Sequence, residues 1–432
     1  MQLDTRIIGT TEKDIEFAAK IIKEGGLVAF PTETVYGLGA NAMNAEAVSK
    51  VYAAKGRPSD NPMIVHIARD VHMFRVTDEI TDDMQKLMTA FWPGPLTMVV
   101  PAKPEVPRVV TGGLDTVAVR MPDSQPTLDL ILESGCLLVG PSANLSGHPS
   151  PTTASHVDDD LHGRIEAIIQ GPDCKVGIES TVIDMTSDVP MILRPGYVTK
   201  EQLSEVLGKE VDIDPAILKK PDVFDNNGLL ETDDSYQPKA PGMKYKHYAP
   251  KAEMIIFTGD PEKVRLAMAE EKMERMAFGQ HVEVMLYGDK EPNEAAKEFF
   301  AQLREYDKSN VDVIFATALD EDGIGLAVMN RMFKSAGYNE KIMNSNKYVE
   351  EVPDELKELL NYSFNLMNII YATDSVPNII TNVKEMLACF NEGKDMVHVA
   401  VFGVEGYKKV KDGNFDVLMD FSKMAEVQRL YK

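Results

Sequence analysis

Gly25-Gly26-Leu27-Val28-Ala29-Phe30-Pro31-Thr32-Glu33-Thr34-Val35-Tyr36-Gly37-Leu38-Gly39-Ala40-Asn41 decides how the N-terminal half is read. Leu27 to Phe30 is a short apolar run that suits a buried strand. Proline cannot donate to a sheet ladder, so the strand is expected to stop at Pro31. Hydroxyls, a carboxylate and a tyrosine come next, broken by Gly37 and Gly39. A strand that ends in polar side chains beside glycines often builds a small-molecule site, and is as often an ordinary turn. The rest of the chain arbitrates.

Upstream, residues 11–24 read as an amphipathic helix with Ile15, Ala18, Ala19 and Ile22 on one face, stopped by Gly25-Gly26. Downstream, a helix over 45–54 runs into Lys55-Gly56-Arg57-Pro58-Ser59-Asp60-Asn61-Pro62. Two cations on a proline-stiffened loop suit a polyphosphate, or form a solvated loop with incidental charge. Met63 to Ala68 reads as a strand carrying His66, a core residue or a ligand. Phe91-Trp92-Pro93-Gly94-Pro95-Leu96 reads as a packing turn before a strand over 97–100. Arg120 ends the strand that starts at Thr116, and an arginine among apolar strand residues needs an anionic partner, of which a bound carboxylate is one candidate. Leu137 to Gly147 repeats the opening design: an apolar strand, then Gly140, Pro141, Ser142, Asn144 and Ser146. Ser150 to Thr153 supply helix caps, and hydroxyls and amides there could hold phosphate oxygens. Glu179-Ser180-Thr181 and Leu193-Arg194-Pro195-Gly196 complete seven strand-end loops that pool cations and hydroxyls.

At 432 residues, 44% hydrophobic and 26% charged, the chain reads as a soluble protein of two or three domains. No apolar run is long enough for a membrane span, and the N-terminus lacks a signal-peptide core. Three widely spaced cysteines, Cys136, Cys174 and Cys389, point to reduced thiols in a cytoplasm, without a disulfide frame or structural zinc. A net charge of −23 argues against tight nucleic-acid binding over a broad surface, while leaving room for a local basic cleft.

From Pro221 to Pro250 the pattern dissolves into loop composition, yet Gly242 to Tyr248 is dense in basic and aromatic groups and is expected to lie on something. Beyond it, strands at 254–257, 282–286 and 311–316 alternate with helices at 261–278, 291–306 and 324–334, a βαβαβα unit that implies a small parallel sheet. It carries no Gly-x-Gly-x-x-Gly and no Walker lysine, so no nucleotide is assigned to it. After 346, helices over 353–368, 377–390 and 421–430 and a strand over 397–402 are expected, without recognisable chemistry.

Together, Phe30 to Leu38, Lys55 to Pro58, Asn61-Pro62, Trp92 to Thr97, Pro141 to Gly147, Glu179 to Thr181, Leu193 to Gly196 and Ala240 to Pro250 closely resemble the YrdC-like family, specifically its two-domain L-threonylcarbamoyl-AMP synthases. The resemblance covers residues 5 to 340, and residues 346–432 depart from it. It implies an α/β (α+β) fold: a YrdC-like twisted open sheet with helices over 5–215, a lid-like linker over 216–250, a smaller Rossmann-like βαβ domain over 251–345, and an unassigned C-terminal extension over 346–432. It implies a nucleotidyltransferase that turns L-threonine, bicarbonate and ATP into threonylcarbamoyl-AMP and pyrophosphate. The product would pass to downstream proteins that modify the adenosine next to the tRNA anticodon, with weak or no direct tRNA binding. By resemblance, Thr32, His66, Arg120, Ser180 and the backbone of Gly140 would hold threonine. Lys55, Arg57, Asn61, Thr116, Ser142, Ser150 and Arg194 would hold ATP with Mg²⁺, and Tyr245 and His247 of the linker would close over the site. No covalent nucleophile is expected, because the reaction needs reactants at attack distance and cations on the phosphates. Two other classes fit the same fold: an RNA-binding module, and a carbamoyl-transfer enzyme whose zinc-finger Cys-x-x-Cys pairs are missing from this chain.

Overall fold

The computed structural model describes residues 3–59, 61–218 and 247–343. The elements expected after 346, and Tyr245 of the linker, lie outside the described residues. The described residues divide into two compact units, one of 3–59, 61–218, 247–256, 285–311 and 318–339, the other of 257–284, 312–317 and 340–343.

The first unit is built on an eleven-stranded mixed sheet. Its strands are β1 (Arg6–Ile8), β2 (Val28–Phe30), β3 (Gly37–Asn41), β4 (Ile64–His66), β5 (Leu96–Pro101), β6 (Thr116–Arg120), β7 (Leu138–Val139), β8 (Ala167–Ile169), β9 (Thr181–Asp184), β10 (Met191–Arg194) and β11 (Asp212–Ile213). They lie in the order β1-β8-β2-β3-β7-β4-β6-β5-β9-β10-β11. Helices α1 (Glu12–Lys23), α2 (Ala45–Lys55), α3 (Asp82–Phe91), α4 (Arg108–Thr111), α5 (Gln125–Ser134), α6 (Ala154–Leu161), α7 (Lys200–Leu207) and α8 (Pro215–Leu218) connect them. Helix α1 forms where the periodicity places it: Thr11 and Asp14 make a capping box, and Ile15, Ala18, Ala19 and Ile22 are buried. That face packs with Phe30, Leu130 and Ile131 into one core layer. A larger layer joins Leu38, Val48, Val51, Val65, Met98 and Val139.

β2 ends at Phe30, as Pro31 requires. The chain then turns back as a hairpin: β3 returns antiparallel, pairing Phe30 with Gly37 and Val28 with Gly39. Glycine suits β3 because the Phe30 ring occupies the space above it; a Cβ at Gly37 would lie 2.6 Å from Phe30 Cζ.

Among the described residues after the linker the chain forms β12 (Glu253–Gly259), α9 (Pro261–Ala277), β13 (Val282–Met285), α10 (Pro292–Lys308), β14 (Val313–Thr317), α11 (Gly323–Ser335) and β15 (Glu340–Met343). The strands form a second sheet in the order β13-β14-β12-β15, so the expected alternation gains a fourth strand. Within the first unit, α10 packs against α11. Within the second, Phe257 meets Phe315 edge to face at 5.2 Å, and Thr258 donates to Glu340 at 2.8 Å. No helix among the described residues is long and apolar enough to cross a membrane.

Candidate functional site

The loops that leave β2, α2 and β7, the segment that enters β9, and strands β4, β6 and β10 converge on one cavity of about 60 Å³ in the first unit. Arg57, Arg120 and Arg194 line it, and among the described residues Glu179 is the one carboxylate in its wall. On a chain of net charge −23, this is a local positive cleft that suits anions.

At one end, Thr32 folds the post-strand loop on itself. Its Oγ1 accepts from the amides of Thr34 (3.1 Å) and Val35 (3.2 Å) and donates to Val35 O (2.6 Å). Arg120 finds its anionic partner inside the chain: Nη2 lies 2.8 Å from Glu33 Oε2, both side chains being buried. Its Nη1 donates to Thr34 Oγ1 (2.9 Å) and its Nε to Gly94 O (3.2 Å). A guanidinium carries five N–H bonds, so the held group still presents donors to the cavity it lines. His66, opposite, sits edge-on to Phe30 with ring centroids 5.3 Å apart. Burial, then the neighbouring Arg120, pushes its pKa down to about 3, so the ring is neutral. Among the described residues its Nδ1 has no hydrogen-bond partner and is buried, as is Nε2 of His247. Two unsatisfied ring nitrogens in one cavity wall are what a site for a polar ligand leaves open.

The phosphate-type loops are held less directly than their composition implied. Lys55 is buried and donates to the carbonyls of Ser142 and of Asn144 (2.7 Å), so the ammonium pins the loop that carries Ser142. Burial, then Arg57, holds its pKa well below the ordinary lysine value. Arg57 itself reaches the cavity, its Nη2 donating to the carbonyls of Asn61 (3.3 Å) and Pro62 (3.2 Å). A second strut reaches the same Ser142–Ser150 loop from α10, where buried Arg304 donates to Pro149 O (2.6 Å) and pairs with Asp160 (2.9 Å). Asp160 in turn accepts from the amide of Leu145 (3.1 Å).

At the far wall, Ser180 and Arg194 form one unit. Arg194 donates to Ser180 O from Nε (3.1 Å) and Nη2 (3.0 Å), and to Ser180 Oγ (3.1 Å). Thr97 Oγ1 lies 2.8 Å from the same hydroxyl. Glu179 accepts from Ser150 Oγ at 2.6 Å and pairs with Arg331 Nε at 3.1 Å. Burial opposes its charge, but Arg331, Arg194 and the Ser150 bond outweigh it and hold the carboxyl below its ordinary value. The end of the linker closes this side. Tyr248 packs on Phe300 (5.0 Å) and on His247 (5.5 Å), and Ala249 N donates to Gly147 O at 2.8 Å. Burial, then Lys334 and Arg57, pushes the His247 pKa to about 3.

Of the residues the sequence singled out, Thr32, His66, Arg120, Gly140 and Ser180 meet at the cavity, as do Arg57, Ser142, Arg194 and His247. Lys55, Asn61, Thr116 and Ser150 do not line it. Lys55 and Ser150 are buried one layer behind, on loop carbonyls and on Glu179. Asn61 is buried with its side-chain amide unpartnered among the described residues, and Thr116 sits at the opposite end of β6 from Arg120. Sequence reading gave no role to Thr34, Glu179, Tyr248, Arg304 or Arg331. For Arg331 a signal existed: an arginine inside the apolar helix Gly-Ile-Gly-Leu-Ala-Val-Met-Asn-Arg-Met-Phe announces a buried, paired charge.

Residues 20–196 match the family model Sua5_yciO_yrdC, described as "Telomere recombination". Residues 198–337 match the model described as "Threonylcarbamoyl-AMP synthase, C-terminal domain". The chain is 47% identical to the threonylcarbamoyl-AMP synthase of Pyrococcus abyssi, over 76% of this chain and 95% of that protein. It is 43% identical to that of Bacillus subtilis, with the same two coverages. Among solved structures it resembles P. abyssi Sua5 complexed with L-threonine, with a TM-score of 0.72, 45% identity, and coverage of 78% of this chain and 99% of that one. With nearly the full length of these relatives matched, the chain belongs to the threonylcarbamoyl-AMP synthase family.

Proposed function

We propose that the protein is an L-threonylcarbamoyladenylate synthase, a nucleotidyltransferase that converts L-threonine, bicarbonate and ATP into threonylcarbamoyl-AMP and pyrophosphate. The observation that carries this reading is the cavity itself: three arginines, one glutamate and neutral histidines on a strongly acidic chain that belongs to this family.

Bicarbonate takes up a proton and loses water to give carbon dioxide, and threonine's amine adds to it to form a carbamate, returning a proton to solvent. A carbamate oxygen then attacks the α-phosphorus of ATP, and the bond to the bridging oxygen breaks to release pyrophosphate. No side chain is covalently modified, so the chain's task is to hold the reactants and balance charge. Thr32, His66, Arg120, Ser180 and the Gly140 backbone take the threonine end. Arg57, Ser142 and Arg194 take the nucleotide, with Asn61 and Thr116 further out. Lys55 and Ser150 serve the same ligand by fixing the Ser142 loop and Glu179. His247, with Tyr245 beside it in sequence, covers the bound adenylate against water. Mg²⁺ supplies charge neutralisation on the triphosphate. The product passes to proteins that modify the adenosine next to the tRNA anticodon, and the enzyme itself binds tRNA weakly or not at all. The cysteine pattern supports a cytoplasmic location.

The test is to incubate the protein with threonine, bicarbonate and labelled ATP and to follow pyrophosphate and the mixed anhydride. Both products are expected only when threonine and bicarbonate are present together. Pyrophosphate released at full rate in rigorously bicarbonate-free buffer would mean that the amino acid, and not its carbamate, is adenylated. A second expectation divides the roles. Arg57→Ala loses a charge-assisted phosphate contact and should weaken ATP use about ten- to a hundredfold while threonine binding changes little. Calorimetry that found both ligands weakened alike would contradict that division.

A further inference from the structure

We propose that Arg331 is a positioning residue for the threonine wall of the cavity: from α11 it fixes the crossing of the Glu179–Ser180 and Arg194–Gly196 segments. The inference rests on the function just proposed and adds a residue to it.

Arg331 is fully buried and does not line the cavity, so it can act only through its partners. Those partners are the two segments of the wall. Its Nε pairs with Glu179 Oε2 at 3.1 Å, Nη2 donates to Glu179 O at 3.4 Å, and Nη1 donates to Pro195 O and to Ala327 O (3.2 Å). One guanidinium therefore ties the strand entrance before Ser180 to the turn after Arg194. The crossing has no slack, because a Cβ on Gly196 would lie 2.2 Å from Thr181 N and 2.8 Å from Glu179 O. Any shift of one segment is passed to the other, and so to the Ser180 hydroxyl that Arg194 holds.

Glu179 completes the arrangement. Its carboxylate takes Ser150 on one oxygen and Arg331 on the other, and Tyr248 lies within its electrostatic reach. The other charged or titratable groups that act on it are Arg194, Lys334, Lys55 and His247. Arg331 is the strongest favourable influence on its charge. Breaking a buried pair by removing one partner leaves the other charge uncompensated. Without Arg331, Glu179 should take up a proton at a higher pH, and the wall should lose its fixed geometry.

Calorimetric titration of the full-length chain with L-threonine between pH 5.5 and 8 tests this. Lys334, whose pKa burial pushes down to about 7, titrates within this range, so each variant is read as its ratio to wild type at the same pH. Arg331→Met should bind about ten- to a hundredfold more weakly and recover part of that loss as pH rises. Arg331→Lys returns a charge to Glu179 without the fork to Pro195 O, so it should restore the wild-type pH profile but not full affinity. A purely structural arginine would lower the melting temperature and the active fraction without introducing pH dependence. Wild-type affinity at every pH in folded Arg331→Met overturns the assignment. If that variant does not fold, wild-type affinity in Arg331→Lys overturns it. Failure of the wild type itself to bind threonine overturns the functional reading, and this assignment with it.

Discussion

Gly140→Ala is expected to cost at least about a hundredfold in threonine-dependent pyrophosphate release, while the protein still folds. The backbone at 140 is not the difficulty; space is. A Cβ there would stand 2.5 Å from both Cε1 and Nδ1 of His66 and 2.8 Å from Phe30 Cζ. Neither ring can give way easily. Phe30 is fully buried against α1 and α5, and His66 belongs to β4, which is paired on both sides by β6 and β7. The methyl must therefore push the imidazole toward the cavity or part β7 from β4, where Gly140 N donates to Ile64 O at 2.9 Å. Overpacking of this kind costs roughly 1–3 kcal/mol of stability, which a large unit survives. The chemistry is less tolerant, because a displacement of about 1 Å at a reacting centre can cost two orders of magnitude. Steady-state kinetics with a thermal melt on the same preparation decide it. Wild-type kcat and threonine KM in the folded variant would show that the wall has slack the geometry denies it.

Gly140 also marks how far the sequence could be read. The β2 strand, its stop at Pro31 and the helix before it came from local rules, since apolar spacing, a cap and a proline act over a few residues. The glycines after Tyr36 had no local explanation, and the segment read as a polar loop. Only the Phe30 ring, folded over them by the hairpin, shows why Gly37 opens a strand. β15 is invisible to the same local rules, as Glu-Lys-Ile-Met carries no apolar run of its own.

At the site, residue type was legible and function in the assembly was not. Lys55 and Arg57 look alike in a loop of two cations, yet one is spent on the Ser142 and Asn144 carbonyls and the other lines the cavity. Arg120 was seen to need an anion, and Glu33, in the stretch first quoted, supplies one. The pairs Arg304–Asp160 and Arg331–Glu179 join residues 144 and 152 positions apart. Spacing along the chain carries no information about contacts of that range. They show why a segment beyond the linker matters to loops that precede it: each arginine holds a loop of the cavity from behind.

Acid should destabilise the wild-type protein over a range where carboxylates are still ionised, and His66 should account for a measurable share of that loss. His66 is 2% exposed, and its pKa falls from an ordinary 6.5 to about 3 through burial and then Arg120. In the folded state it stays neutral down to about pH 3, whereas in the unfolded chain it binds a proton below 6.5. Between those values the unfolded state holds more protons, so stability must fall as pH is lowered through 6.5 and continue to fall toward 3. At pH 4.5 that difference amounts to about 2–3 kcal/mol relative to pH 7.5. His247 and His156, with pKa values pushed to about 3 and about 4 mainly by burial, act with the same sign. Glu179 and Asp160 also lose stability to acid, but their pKa values are held below the ordinary carboxylate range, so their contribution falls at lower pH. The comparison that isolates His66 is denaturant unfolding of wild type and His66→Gln at pH 7.5 and 4.5. The other groups titrate in both proteins and cancel in the difference. The variant should lose about 2–3 kcal/mol less than wild type on going to pH 4.5. Equal losses in the two proteins would mean that His66 takes up its proton in the folded state, and the picture of a neutral imidazole in the cavity wall would be wrong.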